Sequence, residues 1–243
     1  MTDIELTEKV KKTISDYIEF DIEEIFEQGD YISIYGGAVR DSLADMDIHD
    51  VDILCMPKSA INLLNFLQEK YDYEFLDLYD QDKLNMYEGL SIINQPWTLM
   101  NNNKKIIQII RPSKGYNDSF YYNLLKNVDI SCCGIFLDKN DNKILLRESC
   151  KNGIINCLSK TFTLNKWSEL YTSNRTPRRE HKLISRGWLN LDNPWDKKTL
   201  IQKERSMKIL KLEFNPKYDY KIWTEEEYLL RERSKYDDDD LPF

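Results

Sequence analysis

YGGAVRDSLADMDIHDVDILC, residues 35–55, brings two chemistries into one short span, and its reading decides the architecture around it. Upstream, Tyr31, Ile32, Ile34 and Tyr35 form a run rich in β-formers that ends on Gly36 and Gly37. The following AVRDSLAD has the composition of a short helix, so the segment reads as strand, glycine turn, helix. Glycines at such a turn allow backbone conformations closed to other residues and a close approach to a ligand. The free N–H groups of the new helix favour an anion such as a phosphate. Further on, Asp50-Val51-Asp52-Ile53-Leu54 reads as a second strand. Its period of two puts both carboxylates on one face, with Val51 and Ile53 pointing into the core. Two acids on one face repel unless a cation lies between them. Oxygen ligands of this kind suit Mg²⁺, which takes one or two protein carboxylates plus waters and substrate phosphates.

Two small residues opening a helix, a spacer, and Asp-x-Asp on a strand together resemble the signature of the polymerase-beta nucleotidyltransferase superfamily. GGAVRD, Gly36 to Asp41, resembles the opening motif of the class II CCA-adding tRNA nucleotidyltransferases and bacterial poly(A) polymerases. The resemblance implies an α+β fold: a nucleotidyltransferase head, made of a short mixed sheet with packed helices, followed by a small C-terminal helical extension. It also implies an enzyme in which Asp50 and Asp52 are catalytic and hold two Mg²⁺ ions, one activating an acceptor hydroxyl and one bound to the triphosphate. Gly36, Gly37 and Arg40 would then cradle the phosphates of an NTP, with ATP favoured. The acceptor expected first is an RNA 3′ end, tRNA among the candidates.

Composition is compatible with such an enzyme. The chain has 243 residues and 41% hydrophobic content, enough for one large domain or a small pair with a real core. No apolar run reaches the length of a membrane span, and MTDIELTEKVKK lacks the basic-then-apolar pattern of a secretory signal, so a cytoplasmic protein is expected. The five cysteines have no paired metal-ligand spacing and read as reduced core thiols. With only His49 and His181 available, zinc is disfavoured. The net charge of −8 is unevenly spread: between Lys166 and Trp223 fourteen Lys/Arg stand against seven Asp/Glu. Such asymmetry is what an electrostatic footprint for phosphates needs, and a solvated basic helix face has the same pattern.

Working outward, Val10, Ile14, Ile18, Ile22 and Ile25 recur at helical spacing and predict one or two amphipathic helices on the sheet. Pro57 and Ser59 open a helix through INLLNFLQEKY, YEFLDLY alternates as a strand, and KKIIQIIRP reads as a buried strand ended by Pro112. Relatives in the wider superfamily often carry a third carboxylate on a strand in this region, whereas the centre of this one is Gln108. The replacement is Asp129, at the start of a strand expected to continue through GIFLD. Its segment partly resembles the Arg-Arg-Asp-Phe-Thr motif of the class II enzymes: Asp129 and Ser131 match, while Asn127 and Val128 replace the arginine pair. Asp129 is therefore expected to complete the charge set or to orient the sugar. DKNDNKILLRES reads as a hairpin.

Thr176-Pro177-Arg178-Arg179-Glu180-His181-Lys182 resembles the family's neck-helix start, Asp-Pro-x-Arg-x-x-Arg. Thr176 is expected as its N-cap and Pro177 as its first helical residue. Arg179 and Lys182 share one face at a spacing of three, and the resemblance implies that they hold the triphosphate. The family's base-selecting Glu-Asp-x-x-Arg motif has no counterpart, Glu225, Glu226 and Arg231 being late and poorly matched. The expected organisation is a catalytic head over residues 1–165, a basic helical extension over 166–236 with helices near 197–212 and 225–233, and a disordered acidic tail over 237–243. Two alternatives stay open: transfer of a nucleotide to a protein or small molecule, and a non-catalytic nucleotide or RNA binder. Oligomeric state is not legible.

Overall fold

The structure, a computed structural model, describes residues 2–76, 96–112, 128–139, 143–147, 152–165, 175–192 and 222–223. The apolar period of the N-terminal segment is realised as two helices, α1 (Asp3–Ile18) and α2 (Ile22–Phe26). Val10, Ile14, Ile18, Ile22 and Ile25 are all buried, as their spacing requires. A capping box between Thr2 and Glu5 starts α1, and Glu19 in the left-handed conformation stops it. Strand β1 (Ile32–Tyr35) follows, then α3 (Gly37–Leu43), β2 (Val51–Cys55) and α4 (Pro57–Tyr71). The strands β3 (Glu74–Phe75), β4 (Trp97–Met100) and β5 (Ile106–Ile110) extend the sheet on one side. On the other side lie β6 (Ile135–Asp138) and β7 (Lys143–Arg147), the two arms of the expected hairpin.

Helix α5 (Gly153–Ser159), strand β8 (Thr161–Phe162), helix α6 (Arg175–Ser185), strand β9 (Leu189–Asn190) and strand β10 (Ile222–Trp223) complete the described elements. The eight-stranded sheet runs β10-β7-β6-β1-β2-β5-β4-β3, and β8 and β9 form a separate parallel pair. It is mixed: β2 is antiparallel to β1 and parallel to β5. Helix α1 packs on α3 and α2, and α5 packs on α3. This is the α+β head with packed helices that the sequence predicts. Among the described residues no helix is long and apolar enough to cross a membrane.

Two local expectations are corrected. The segment after Asp129 does not continue as a strand: Ser131–Cys133 is a single 3₁₀ turn, and extended backbone resumes only at Ile135. The Cys133 N–H donates to the Ile130 carbonyl to close the turn, and the Ser131 hydroxyl accepts from the Thr163 N–H and from Asn156 Nδ2. Thr176 is not an N-cap, because α6 already begins at Arg175 and the Thr176 hydroxyl is engaged elsewhere. The strand ending YEFLDLY, the hairpin turn at 140–142, Asn127, Cys150, the basic helix at 197–212, the acidic helix at 225–233 and the acidic tail lie outside the described residues. Cys55, Cys132, Cys133 and Cys157 are buried, as expected of core thiols.

Candidate active site

The site is built from the middle of the sheet. Directly paired residues on neighbouring strands share a face, so Phe136, Tyr35, Asp52, Gln108 and Thr98 form one row across β6, β1, β2, β5 and β4. Asp52 is its centre. Val51 and Ile53 point the other way and are fully buried, each such side chain contributing about 1.5–3 kcal/mol of apolar burial. That burial fixes the register, since a slip of one residue would exchange the carboxylate for the apolar face. Gln108, standing where a third acid was sought, lies beside Asp52 in register.

Asp52 feels the charges of Asp50, Arg40, Arg179 and Lys182. Its Oδ1 is buried and has no hydrogen-bond partner among the described residues. Burial pushes its carboxyl up and the neighbouring charge of Asp50 pushes it further, while Arg179, Arg40 and Lys182 pull it back only in part; the result is about 8. A buried oxygen without a partner, beside a second carboxylate, lacks a counter-charge of the kind a hard cation supplies. Among the described residues no group of three or more His, Cys, Asp or Glu side chains could hold a metal, so Asp50 and Asp52 would act with waters and substrate oxygens. The donor set thus fits Mg²⁺.

The glycine turn supplies the opening. Gly36 takes φ 66 and ψ −108 and its N–H donates to the Ile135 carbonyl at 3.0 Å. A Cβ there would meet only the Cys133 carbonyl, at 3.9 Å, so the need for glycine is conformational. Gly37 has no such φ, and its role is spatial. A Cβ on it would lie 3.8 Å from Arg40 Nη2 and 4.0 Å from Asp50 Oδ1, in the gap between guanidinium and carboxylate.

Arg40 is held by the protein. Its Nε and Nη2 donate to the two oxygens of Asp41 at 2.8 and 2.9 Å, its Nη1 donates to Cys133 Sγ at 3.3 Å, and its guanidinium lies 5.6 Å from the Trp188 ring centre. Asp41 also accepts from Arg186 Nη1 at 3.0 Å. Arg40 therefore acts as a fixed positive charge and not as a mobile arm. The Cys133 thiol is pulled well below the ordinary thiol range by its bond with Cys132 and by the guanidiniums of Arg179 and Arg40. The two arginines therefore converge over the 3₁₀ turn.

Asp129 takes a place the sequence did not indicate. It is fully buried, one oxygen accepting from Thr176 Oγ1 at 3.0 Å and the other from Arg179 Nη1. Both partners come from α6, so Asp129 docks that helix on the head and fixes Arg179, whose side chain stays 28% exposed. Desolvation disfavours the Arg179 charge, but Cys133 and Asp129 outweigh it and raise its pKa. Lys182, one turn further on, is exposed and its charge reaches Asp52. Arg40 and Asp50 thus flank Gly37, the charges of Asp50, Arg40, Arg179 and Lys182 all act on Asp52, and Asp129 holds Arg179. Sequence reasoning missed Arg186 and Trp188 as partners of this site: Arg186 lies 145 residues from the Asp41 it contacts, and neither residue carries a local pattern.

No protein-family model matches the chain, and no curated protein matches it. Solved structures do. A CCA-adding enzyme with ATP is 15% identical with a TM-score of 0.49, covering 95% of this chain and 45% of its own. The apo form of a CCA-adding enzyme is 14% identical with a TM-score of 0.48, covering 95% and 44%. The Thermotoga maritima CCA-adding enzyme complexed with tRNA is 13% identical with a TM-score of 0.41, covering 92% and 45%. The chain therefore spans less than half the length of each of these enzymes.

Proposed function

We propose that the chain is a Mg²⁺-dependent nucleotidyltransferase that joins a nucleotide from an NTP, ATP favoured, to the 3′ hydroxyl of an RNA. The observation that carries this reading is the buried Oδ1 of Asp52, without a hydrogen-bond partner among the described residues, beside Asp50 and with three basic side chains acting on it from two different helices. Asp50 and Asp52 would hold the metal, which when bound supplies Lewis-acid stabilisation of the reacting phosphate and lowers the pKa of an attacking hydroxyl. The gap left by Gly37 admits phosphate oxygens between Arg40 and Asp50. Arg179 and Lys182 bind the triphosphate and neutralise the charge that grows on the leaving pyrophosphate. Arg40 adds a fixed positive potential, and Asp129 serves by orienting Arg179. The basic segment after Lys166 is assigned to the acceptor, so activity falls with salt.

Without the Glu-Asp-x-x-Arg base reader, selection between nucleotides rests on shape and stacking, which supports modest discrimination. Addition of one or a few nucleotides of a single preferred type follows. The test is to incubate the protein with each α-labelled NTP, Mg²⁺ and either total cellular RNA or total protein. Label in RNA 3′ ends is expected. Label in the protein pool instead would replace the acceptor, and ordered C, C, A addition would show that another residue set reads the base.

A further inference from the structure

The connector between α3 and β2, residues 44–50, delivers Asp50 to the site, and it is pinned from two sides. From the C-terminal side, Arg186 Nη2 donates to the Asp47 carbonyl at 3.0 Å and Trp188 Nε1 donates to Met46 Sδ at 3.2 Å. From the N-terminal side, Lys9 pairs with Asp45 at 2.8 Å, and the Tyr17 hydroxyl of α1 donates to the His49 carbonyl at 2.6 Å. That same hydroxyl accepts from the Ile106 N–H, at the start of β5, at 3.1 Å. One phenol oxygen therefore ties helix α1, the peptide immediately before Asp50, and the first residue of the strand that runs parallel to β2. Lys105 Nζ sits 4.9 Å from the centre of its ring.

We propose that Tyr17 is a positioning residue for Asp50: its hydroxyl fixes the His49–Asp50 peptide against β5 and so sets where the Asp50 carboxylate stands relative to Asp52. Asp50 stands one residue before the first residue of β2, and the Tyr17 bond holds the peptide that leads into it. The inference rests on the reading of Asp50 and Asp52 as cation ligands. It adds a residue some thirty positions upstream that touches neither cation nor nucleotide. Partners of metal ligands commonly govern affinity by tens of fold when removed.

The test is a Mn²⁺ titration followed by the EPR signal of the free ion, run on the full chain and on Tyr17→Phe, Tyr73→Phe and Asp50→Asn, with thermal melts to verify folding. Tyr73 is the matched control, a buried phenol near Tyr17 whose hydroxyl has no partner among the described residues. Asp50→Asn is expected to abolish tight binding, Tyr17→Phe to weaken it about tenfold, and Tyr73→Phe to leave it at the parent value. Parent-like affinity in Tyr17→Phe overturns the inference while leaving the function reading in place. Equal weakening in Tyr17→Phe and Tyr73→Phe marks general loosening and overturns it as well. Parent-like affinity in Asp50→Asn overturns the cation site beneath it.

Discussion

Replacing Asp129 with Asn probes a fully buried acid whose two partners both come from α6. In the parent protein a fully buried carboxylate satisfies Thr176 with one oxygen and Arg179 with the other. The amide keeps one acceptor and turns an N–H₂ group towards the second donor, so one hydrogen bond is lost and a guanidinium loses its counter-charge. A charge-assisted hydrogen bond contributes about 1.5–3 kcal/mol, and removing one partner of a fully buried ion pair costs about 3–5 kcal/mol. Arg179 is 28% exposed and recovers part of its hydration, which places the expected loss near the lower figures, at about 2–3 kcal/mol. For a chain of this size that is roughly 4–12 °C in Tm. Urea denaturation measures it, with Arg179→Met and the double variant completing a cycle. The double variant should recover part of the loss, because no unpaired guanidinium remains. A change in Asp129→Asn within ~0.5 kcal/mol would refute the docking role and return Asp129 to direct contact with the nucleotide.

Three further outcomes follow from the same geometry. Arg179→Ala and Lys182→Ala should each weaken NTP binding by about 1.5–3 kcal/mol, measured by equilibrium titration, while RNA binding stays near its parent value. Gly36→Ala should lower stability by about 1–3 kcal/mol through backbone strain at φ 66, read from a thermal melt. Gly37→Ala should melt as the parent does, since its Cβ meets only ordinary contacts, yet bind NTP more weakly because the methyl enters the gap between Arg40 and Asp50.

What the sequence made legible was local. The strand, glycine turn and helix of residues 32–43, the alternation that puts Asp52 opposite Val51 and Ile53, and the period of α1 each rest on neighbours within a few positions. Their physics is contained in short windows. The fates of Arg40 and Asp129 were not legible, because each depends on partners brought together only by folding. The resemblance places Arg40 with Gly36 and Gly37 in a phosphate cradle and says nothing of Asp41, which occupies its fork and which Arg186 also grips from 145 positions away. Asp129 is expected to complete the charge set or to orient the sugar, and the partners it meets, Thr176 and Arg179, arrive from a helix about fifty residues downstream. Thr176 had the composition of a cap and instead donates to that buried acid. The 3₁₀ turn at 131–133 is hidden for a related reason: apolar residues on both sides read as one strand, while the Ser131 hydroxyl meets Asn156 and Thr163, which lie 25 and 32 residues away in sequence.

The central claim is that Asp50 and Asp52 together bring a cation and a nucleotide triphosphate into a reactive arrangement. It is tested most directly by following α-labelled ATP into RNA in the presence of Mg²⁺, comparing the parent chain with folded Asp50→Asn and Asp52→Asn. Removal of a major electrostatic contributor is expected to lower the rate by ~10²-fold or more in each variant, with Mg²⁺ omission producing the same loss in the parent. Parent-like transfer in either folded variant would contradict the account.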